Sequence, residues 1–283
     1  MTALRVVTIN TAKGDFAYAR RVSWLATSLR ALTPSPDVVL LQEALRTHDD
    51  RGDAFDTAGV LAEALGLTRV DAPARRKLRE VEGITRDTTS GLAILSRYPI
   101  VATDVVPLLA DAADGERIAL LVQLAVGDEA RVLLAAAHLT HLRGEAMNAM
   151  RRAEVATILA HPWFAESFEA RIIAGDLNTR LADLPALLAG HEPFALADGW
   201  VVAGGDGPRA TMPVTVSRSD PRAVCLDYVL VATRPGETSP TFAEAQLVLD
   251  EPSEDGDYPS DHRGVAVTLV LDDDSMEEGA IDG

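Results

Sequence analysis

Six apolar runs in this sequence end on, or lead directly into, polar residues of only four types: aspartate, glutamate, asparagine and histidine. Carboxylate and amide oxygens favour a hard divalent cation such as Mg²⁺, and the set contains no thiol that would favour a soft metal. Histidine changes its protonation near neutral pH and can take a proton from water. The residues at these positions are Asn10, Glu43, His138, Asp176 with Asn178, Asp227, and Asp261 with His262.

Together these groups suit the hydrolysis of a phosphate ester. A metal polarises the phosphoryl oxygen, a His–Asp pair activates water, and amide or imidazole donors stabilise the charge that develops. If the apolar runs are strands of one core, their polar ends can converge on one rim, where rigid strands fix the side chains. The sequence therefore predicts a single metal-assisted hydrolytic site.

Hydrophobic periodicity predicts that strands and helices alternate along the chain. Helical spacing predicts helices near residues 22–32, 58–65, 145–160 and 182–189. Pro34 and Pro36 break the first helix, and Gly66 closes the second. This rhythm predicts two packed sheets flanked by helices in one domain. The predicted strands lie at residues 4–9, 37–43, 91–95, 100–109, 117–126, 131–137, 171–174, 224–231 and 264–271.

The charge of the chain restricts its partners. Its 283 residues include 43 acidic and 26 basic side chains, for a formal net charge of −17. The last twelve residues hold six acids and no base, so we expect one domain over residues 1–271 and a disordered acidic tail over 272–283. The domain is itself acidic and shows no overall basic footprint for a long polyanion, which favours a small phosphoester substrate over nucleic acid.

Composition also bears on location. No apolar run approaches the ~20 residues that a transmembrane helix needs, and the first residues lack the features of a secretory signal. Cys225 is the only cysteine, which excludes an intrachain disulfide framework and a cysteine-based zinc site. We therefore expect a reducing, cytoplasmic location, and no protein partner can be inferred.

The motifs resemble those of the endonuclease/exonuclease/phosphatase superfamily, which has the DNase I-like fold. They occur in the family's order and extend from residue 5 to residue 271. Each is weak alone, but the ordered set is specific. The resemblance implies an α/β fold with four layers (α/β/β/α), a two-sheet β-sandwich flanked by helices in which each half of the chain contributes one sheet. The motifs are Asn10, QE at 42–43, GLAILSRYPI at 91–100, HL at 138–139, GDLN at 175–178, LDYVLV at 226–231 and SDH at 260–262.

The same resemblance implies a metal site. Glu43 would be the principal Mg²⁺ ligand, with Asn10 and Asp261 beside it and Mn²⁺ as an alternative ion. Some nucleases of the family carry a further acidic ligand two residues after the first asparagine, where this chain has Ala12. The resemblance therefore leaves open whether one or two metals bind.

It also implies how water is activated. His262 would be the general base, oriented and made more basic by Asp227. Asp176 and Asn178 would position the water and the phosphate. His138 would donate a hydrogen bond to a phosphoryl oxygen.

Three other patterns in the sequence have plainer interpretations. His138 and His141 form a His-x-x-His pair, but no third nitrogen or sulfur ligand has suitable spacing for zinc. Residues 250–257 resemble a calcium loop in composition, but the twelfth position would be His262 instead of glutamate. The basic stretch from Arg75 to Arg79 is either a phosphate-contacting rim or an ordinary exposed face, and we favour the second.

The sequence thus predicts a metal-dependent hydrolase of phosphoester bonds, in the first place a phosphodiesterase. One alternative is a DNA or RNA endonuclease or exonuclease. Another is a catalytically inactive binding module on the same fold. The intact pair of His262 and Asp227 disfavours this alternative. Motifs typical of serine hydrolases, P-loop NTPases and Rossmann dehydrogenases are absent from the sequence.

Overall fold

The computed structural model describes residues 2–48, 54–127, 130–205, 207–213 and 223–271. The predicted acidic tail, 272–283, lies outside these ranges. No helix within them is long and apolar enough to cross a membrane. The strands are β1 (Thr2–Asn10), β2 (Val38–Thr47), β3 (Thr68–Val81), β4 (Ile84–Ser96), β5 (Ile100–Pro107), β6 (Ile118–Val126), β7 (Ala130–His138), β8 (Ala170–Asp176), β9 (Ala195–Asp198), β10 (Asp227–Thr233), β11 (Thr241–Val248) and β12 (Gly264–Leu271). The α-helices are α1 (Tyr18–Ala31), α2 (Thr57–Leu65), α3 (Glu145–Leu159), α4 (Leu184–Leu188) and α5 (Gly199–Val202).

The described strands form two six-stranded sheets. The first has the order β11-β12-β1-β2-β4-β3, and the second has the order β5-β6-β7-β8-β10-β9. Within them β1 runs parallel to β2, and β7 runs parallel to β8. The predicted two-sheet sandwich flanked by helices is confirmed.

Apolar side chains on the facing sides of the two sheets form the central core, which includes Val6 of β1 and Leu134 of β7. A second cluster lies between the first sheet and helices α1 and α2, with Leu25 and Leu61 on the helices. A third lies between the second sheet and helices α3 and α4, with Ile158 on α3. Each fully buried aliphatic side chain contributes about 1.5–3 kcal/mol. The central core therefore holds the two sheets together, and the two outer clusters hold the helices on the sheets.

The last two strands return to the first sheet, so the expectation that each half of the chain contributes one sheet is wrong. β12 pairs antiparallel with β1, from Thr2 opposite Leu271 to Thr8 opposite Val265. This pairing sets the start of β12 beside the end of β1. The loop that carries Asp261 therefore lies next to the first strand's terminal residue.

Three strands were not predicted from the sequence, and all three lie at sheet edges: β3, β9 and β11. An edge strand is paired on one side only, and charged residues are typical of it. β3 contains the basic stretch that we interpreted as an exposed face, and it forms a long hairpin with β4. Its apolar residues do not alternate regularly, so the period-two signal of a half-buried strand is missing.

Candidate active site

The ends of four strands bring candidate residues to one rim of the sandwich. Asn10 ends β1 and lies opposite Gln42 of β2. His138 ends β7 and lies opposite Asp176 at the end of β8. Asp227 also lies opposite Asp176, because β10 runs antiparallel to β8 and begins there. The strand predicted over residues 224–231 starts three residues later in the structure, at Asp227.

The loop before β12 joins the rim through Ser260. The Ser260 hydroxyl donates to the carbonyl oxygen of Asn10 at 2.5 Å and accepts a hydrogen bond from the backbone N–H of His262 at 3.2 Å. The two contacts hold Asp261 and His262 against the end of β1. Ser260 belongs to the SDH motif at 260–262, but its supporting role was not predicted from the sequence.

Arg21 of α1 supports the loops beside the end of β1. It is buried, and its guanidinium donates to the carbonyl oxygens of Thr11, Lys13 and Pro259 at 2.7, 2.8 and 3.3 Å. Burial lowers the pKa of Arg21, and nearby Tyr18 and acidic groups oppose this shift. One side chain thus fixes both the loop after β1 and the loop before β12. Nothing in the sequence distinguished this arginine from the others.

Glu43 projects from an irregularity in β2. The register of β2 against β4 shifts between Leu41 and Ala44, and Glu43 has a φ of 57°. A non-glycine residue in this left-handed region costs about 1–3 kcal/mol, and such strain is typical of functional sites. The Glu43 carboxylate forms an ion pair with the ammonium group of Lys13, which itself has a φ of 45°.

His262 and Asp227 form a buried hydrogen-bonded pair. His262 Nδ1 lies 2.8 Å from Asp227 Oδ2, and Asp227 is fully buried. Burial alone would lower the pKa of His262, but the charge of Asp227 and the hydrogen bond to it, together with Asp176 and Asp261, raise it to about 10. Thr211, which the sequence analysis missed, accepts a hydrogen bond from the backbone N–H of Asp227 at 3.3 Å.

Asp176 is the centre of the site. Its Oδ2 accepts a hydrogen bond from Asn10 Nδ2 at 3.0 Å, and its Oδ1 accepts one from the backbone N–H of Asn178 at 3.0 Å. The Nε2 atoms of His138 and His262 lie 3.5 and 3.9 Å from Oδ2. Burial and the charge of Asp227 raise the pKa of Asp176 to about 7.

His138 bridges the two sheets. Its Nδ1 lies 4.0 Å from Glu43 Oε1, in addition to the approach of Nε2 to Asp176. Burial and the positive charges of Arg117 and Lys13 lower its pKa well below the ordinary value, so the imidazole is neutral at pH 7. A neutral imidazole donates through one nitrogen without adding charge.

A cleft of about 690 Å³ opens over these residues. Seven of the eight predicted site residues line it, and the eighth, Asp227, lies behind His262. The walls also carry five basic side chains that were not assigned to the site from the sequence. One of them, Arg75, belongs to the basic stretch that the sequence analysis favoured as an ordinary exposed face, and nothing in the sequence separates the other four from the remaining basic residues. The five are Lys13, Arg75, Arg117, Arg143 and Arg180.

A family model shows how this chain is related to known proteins. Residues 7–262 match the model of the Endonuclease/Exonuclease/phosphatase family. The chain belongs to that family.

Solved structures of the same fold agree. An endonuclease/exonuclease/phosphatase from Beutenbergia cavernae DSM 12333 matches with a TM-score of 0.71 and 24% identity, over 96% of this chain and 72% of that one. D. rerio TDP2, complexed with single strand DNA product, matches with a TM-score of 0.69 and 19% identity, over 96% and 100%. An endonuclease/exonuclease/phosphatase family protein from Leptotrichia buccalis C-1013-b matches with a TM-score of 0.67 and 18% identity, over 95% of this chain and 100% of that one. At these identities the likeness shows the fold alone. No curated protein matches the chain.

Proteins of the endonuclease/exonuclease/phosphatase family hydrolyse phosphoesters on a fold that generally uses a divalent metal. Here one possible ligand atom from each of Asp176, Asp227 and His262 lies within 4.8 Å of the others, so this buried group could hold such an ion. The metal ligands that the sequence resemblance implies are instead Glu43, Asn10 and Asp261. The two sets meet around the same cleft, at which Asn10 Nδ2 contacts Asp176.

Proposed function

We propose that this protein is a Mg²⁺-dependent phosphodiesterase in which His262, oriented by Asp227, takes a proton from the attacking water. The observation that carries the proposal is the 2.8 Å contact between His262 Nδ1 and Asp227 Oδ2, with His262 Nε2 directed towards Asp176 in the cleft. An imidazole backed by a buried carboxylate and facing a substrate cleft is the arrangement that general-base catalysis requires.

The charges around the site suit a divalent cation. Asp176 and Asp227 are both buried, and Asp227 Oδ1 has no hydrogen-bond partner among the described residues. The donors are oxygens, as Mg²⁺ or Mn²⁺ prefers. Glu43, Asp261 and Asn10 would hold the ion on the open side, because the Asp227–His262 contact already uses atoms of that pair. A bound cation would polarise the phosphoryl oxygen, and its charge would lower the pKa of His262.

The remaining residues would orient the substrate. Asn178 is held by its Nδ2, which donates to the carbonyl oxygen of Leu139 at 3.0 Å, and by its backbone contact to Asp176. Neutral His138 would donate to a phosphoryl oxygen. Fixed donors of this kind stabilise charge in the transition state without reorganising.

Two other functions were considered. A DNA or RNA nuclease would use the same chemistry, and the arginines that line the cleft favour a more highly charged substrate. The inactive binding module is disfavoured, because it gives no reason for a buried His–Asp pair at the cleft. The reducing, cytoplasmic location expected from the sequence stays a prediction.

The proposal is tested with bis-p-nitrophenyl phosphate and EDTA-treated protein. We expect no hydrolysis until Mg²⁺ is added, and a loss of about 100-fold or more in Glu43→Gln, because a bound metal supplies several kcal/mol of charge stabilisation. Glu63→Gln, on the exposed side of α2, is the matched control and should retain the wild-type rate. Hydrolysis that survives EDTA, or an unimpaired Glu43→Gln variant, would overturn the proposal.

A further inference from the structure

One wall of the cleft carries a second histidine–aspartate contact that the proposed chemistry does not use. His141, just after β7, lines the cleft, and its Nδ1 contacts Asp114 Oδ1. The Asp114 side chain is fully buried, whereas 56% of the His141 side chain is exposed. Because Nδ1 faces the buried carboxylate, Nε2 lies on the exposed side of the ring.

Arg117 ties this pair to the proposed catalytic centre. Its Nε donates to Asp114 Oδ2 at 3.0 Å, and its Nη1 donates to the carbonyl oxygen of His138 at 3.3 Å. The Arg117 side chain is only 12% exposed, so its main role is to hold Asp114 against the end of β7. Asp114, Arg117 and His141 are therefore adjacent to His138. In the proposed mechanism His138 contacts the scissile phosphate.

Arg75 brings a further positive charge to the same place from β3. Its Nη1 donates to the carbonyl oxygen of Asp114 at 3.0 Å. The guanidinium lies against Gly115, where an added Cβ would come within 2.9 Å of Arg75 Cζ. Gly115 also has a φ of 84°, so glycine both permits this turn and leaves room for the guanidinium.

We propose that Arg75 and His141, held on Asp114 by Arg117, form a subsite for a second phosphate group of the substrate. This inference rests on the proposed function and narrows its substrate class: the preferred phosphodiester carries another phosphate next to the scissile one. A guanidinium suits this task, because its hydrogen bonds to phosphate oxygens are charge-assisted. The exposed Nε2 of His141 adds a further donor to phosphate when both ring nitrogens carry a proton. The subsite also explains how an acidic chain can accept a polyanionic ligand locally.

Glu116 offers a test of how the charge of this wall affects binding of the second phosphate. It is exposed and lines the same wall, so its carboxylate opposes a second phosphate. Replacing it with glutamine removes the opposing charge without touching the Asp114 contacts. The subsite therefore predicts opposite effects from two neighbouring substitutions, Arg75→Ala and Glu116→Gln.

The experiment compares two substrates that share one leaving group: thymidine 5′-(p-nitrophenyl phosphate), with and without a 3′-phosphate. We expect wild-type protein with Mg²⁺ to hydrolyse both and to favour the bisphosphate. Arg75→Ala should lower kcat/KM for the bisphosphate by about 10- to 100-fold, mainly through KM, and leave the other substrate within about 3-fold. His141→Asn should act in the same direction, and Glu116→Gln should raise kcat/KM for the bisphosphate alone.

Arg76→Ala is the matched control. Arg76 follows Arg75 on β3, so its side chain points to the other face of the strand, where it pairs with Asp87. It should behave as wild type with both substrates. Equal losses on both substrates in Arg75→Ala, or no loss on either, would overturn the subsite. Failure of wild-type protein to hydrolyse the single-phosphate substrate would instead contradict the proposed function.

Discussion

At the scale of single residues, the environment of His262 determines what the site can do. Asp227 and Asp176 face the two ring nitrogens, and Asp261 is its neighbour in the chain. Without a bound cation these charges keep the imidazole protonated at neutral pH, since its pKa is raised to about 10 despite burial. A protonated histidine cannot accept a proton, so His262 would act as the proposed base only with a cation bound beside it.

Replacing Asp227 with asparagine should lower the pKa of His262. The variant keeps an acceptor for Nδ1 but removes the charge that most strongly raises this pKa. We expect wild-type His262 in EDTA to stay protonated through pH 8, and the variant to lose its proton at lower pH. Proton NMR of the imidazole resonances measures both. The resonances of His161, which pairs with distant Asp104, serve as the internal control. An unchanged titration of His262 would show that the charge of Asp227 does not raise the pKa of this histidine.

At the scale of elements, α3 positions the loop that follows β7. Arg151 donates to the carbonyl oxygens of Thr140 and Leu142, both at 2.9 Å. Glu154 accepts a hydrogen bond from the backbone N–H of Thr140 at 3.2 Å. The helix thus fixes the segment that carries His141. Hydrophobic spacing predicted the helix almost to its ends, because one face is buried, but not these polar contacts, which depend on tertiary structure.

Glu154 makes stability depend on pH in a defined direction. Burial raises its pKa from 4.5 to about 7, so the folded protein binds this proton more tightly than the unfolded chain. The stability that the proton contributes is complete below pH 4.5 and is lost as pH rises through 7. The loss is about 3 kcal/mol at 1.36 kcal/mol per pKa unit.

Glu154→Gln should therefore be more stable than wild type at pH 8 by about 2–3 kcal/mol, and the difference should shrink towards pH 5. Urea unfolding at the two pH values measures the free energies. Glu145→Gln, exposed in the first turn of the same helix, should show no comparable change with pH. A Glu154→Gln effect that is the same at pH 5 and pH 8 would contradict the assigned protonation.

At the scale of the whole molecule, the return of β12 to the first sheet completes both the core and the site. The sequence was sufficient to predict the two-sheet fold and to place eight polar residues at run ends, because buried strands leave apolar runs with sharp polar ends. It could not predict edge strands such as β3, which have no buried face to mark them. Supporting residues such as Thr211 and Arg21 were also missed, because their hydrogen bonds to Asp227 and to the loops around the site form only in the folded chain.

The folding unit should end with β12. Arg5 of β1 contacts Thr268 of β12 at 3.2 Å and Glu244 of β11 at 3.1 Å, so the last strands are integral to the first sheet. A chain ending at Leu271 should keep its Tm within about 3 °C, less than 1 kcal/mol for a chain of this size, and should keep its activity. A chain ending at Leu249, which lacks β12, should not fold. A large fall in Tm on removal of 272–283 alone would contradict this boundary.

The most direct test of the account is a double-mutant cycle on the pair proposed to activate water, assayed with bis-p-nitrophenyl phosphate and Mg²⁺, with Tm as the check on folding. His262→Ala should lower kcat/KM by a factor of hundreds or more, as expected for loss of a general base worth ~10²–10⁴. Asp227→Asn should also lose rate, and the double variant should be no slower than His262→Ala, because Asp227 acts through the imidazole. A His262→Ala variant with wild-type turnover, or losses that simply multiply in the double variant, would contradict the proposed site.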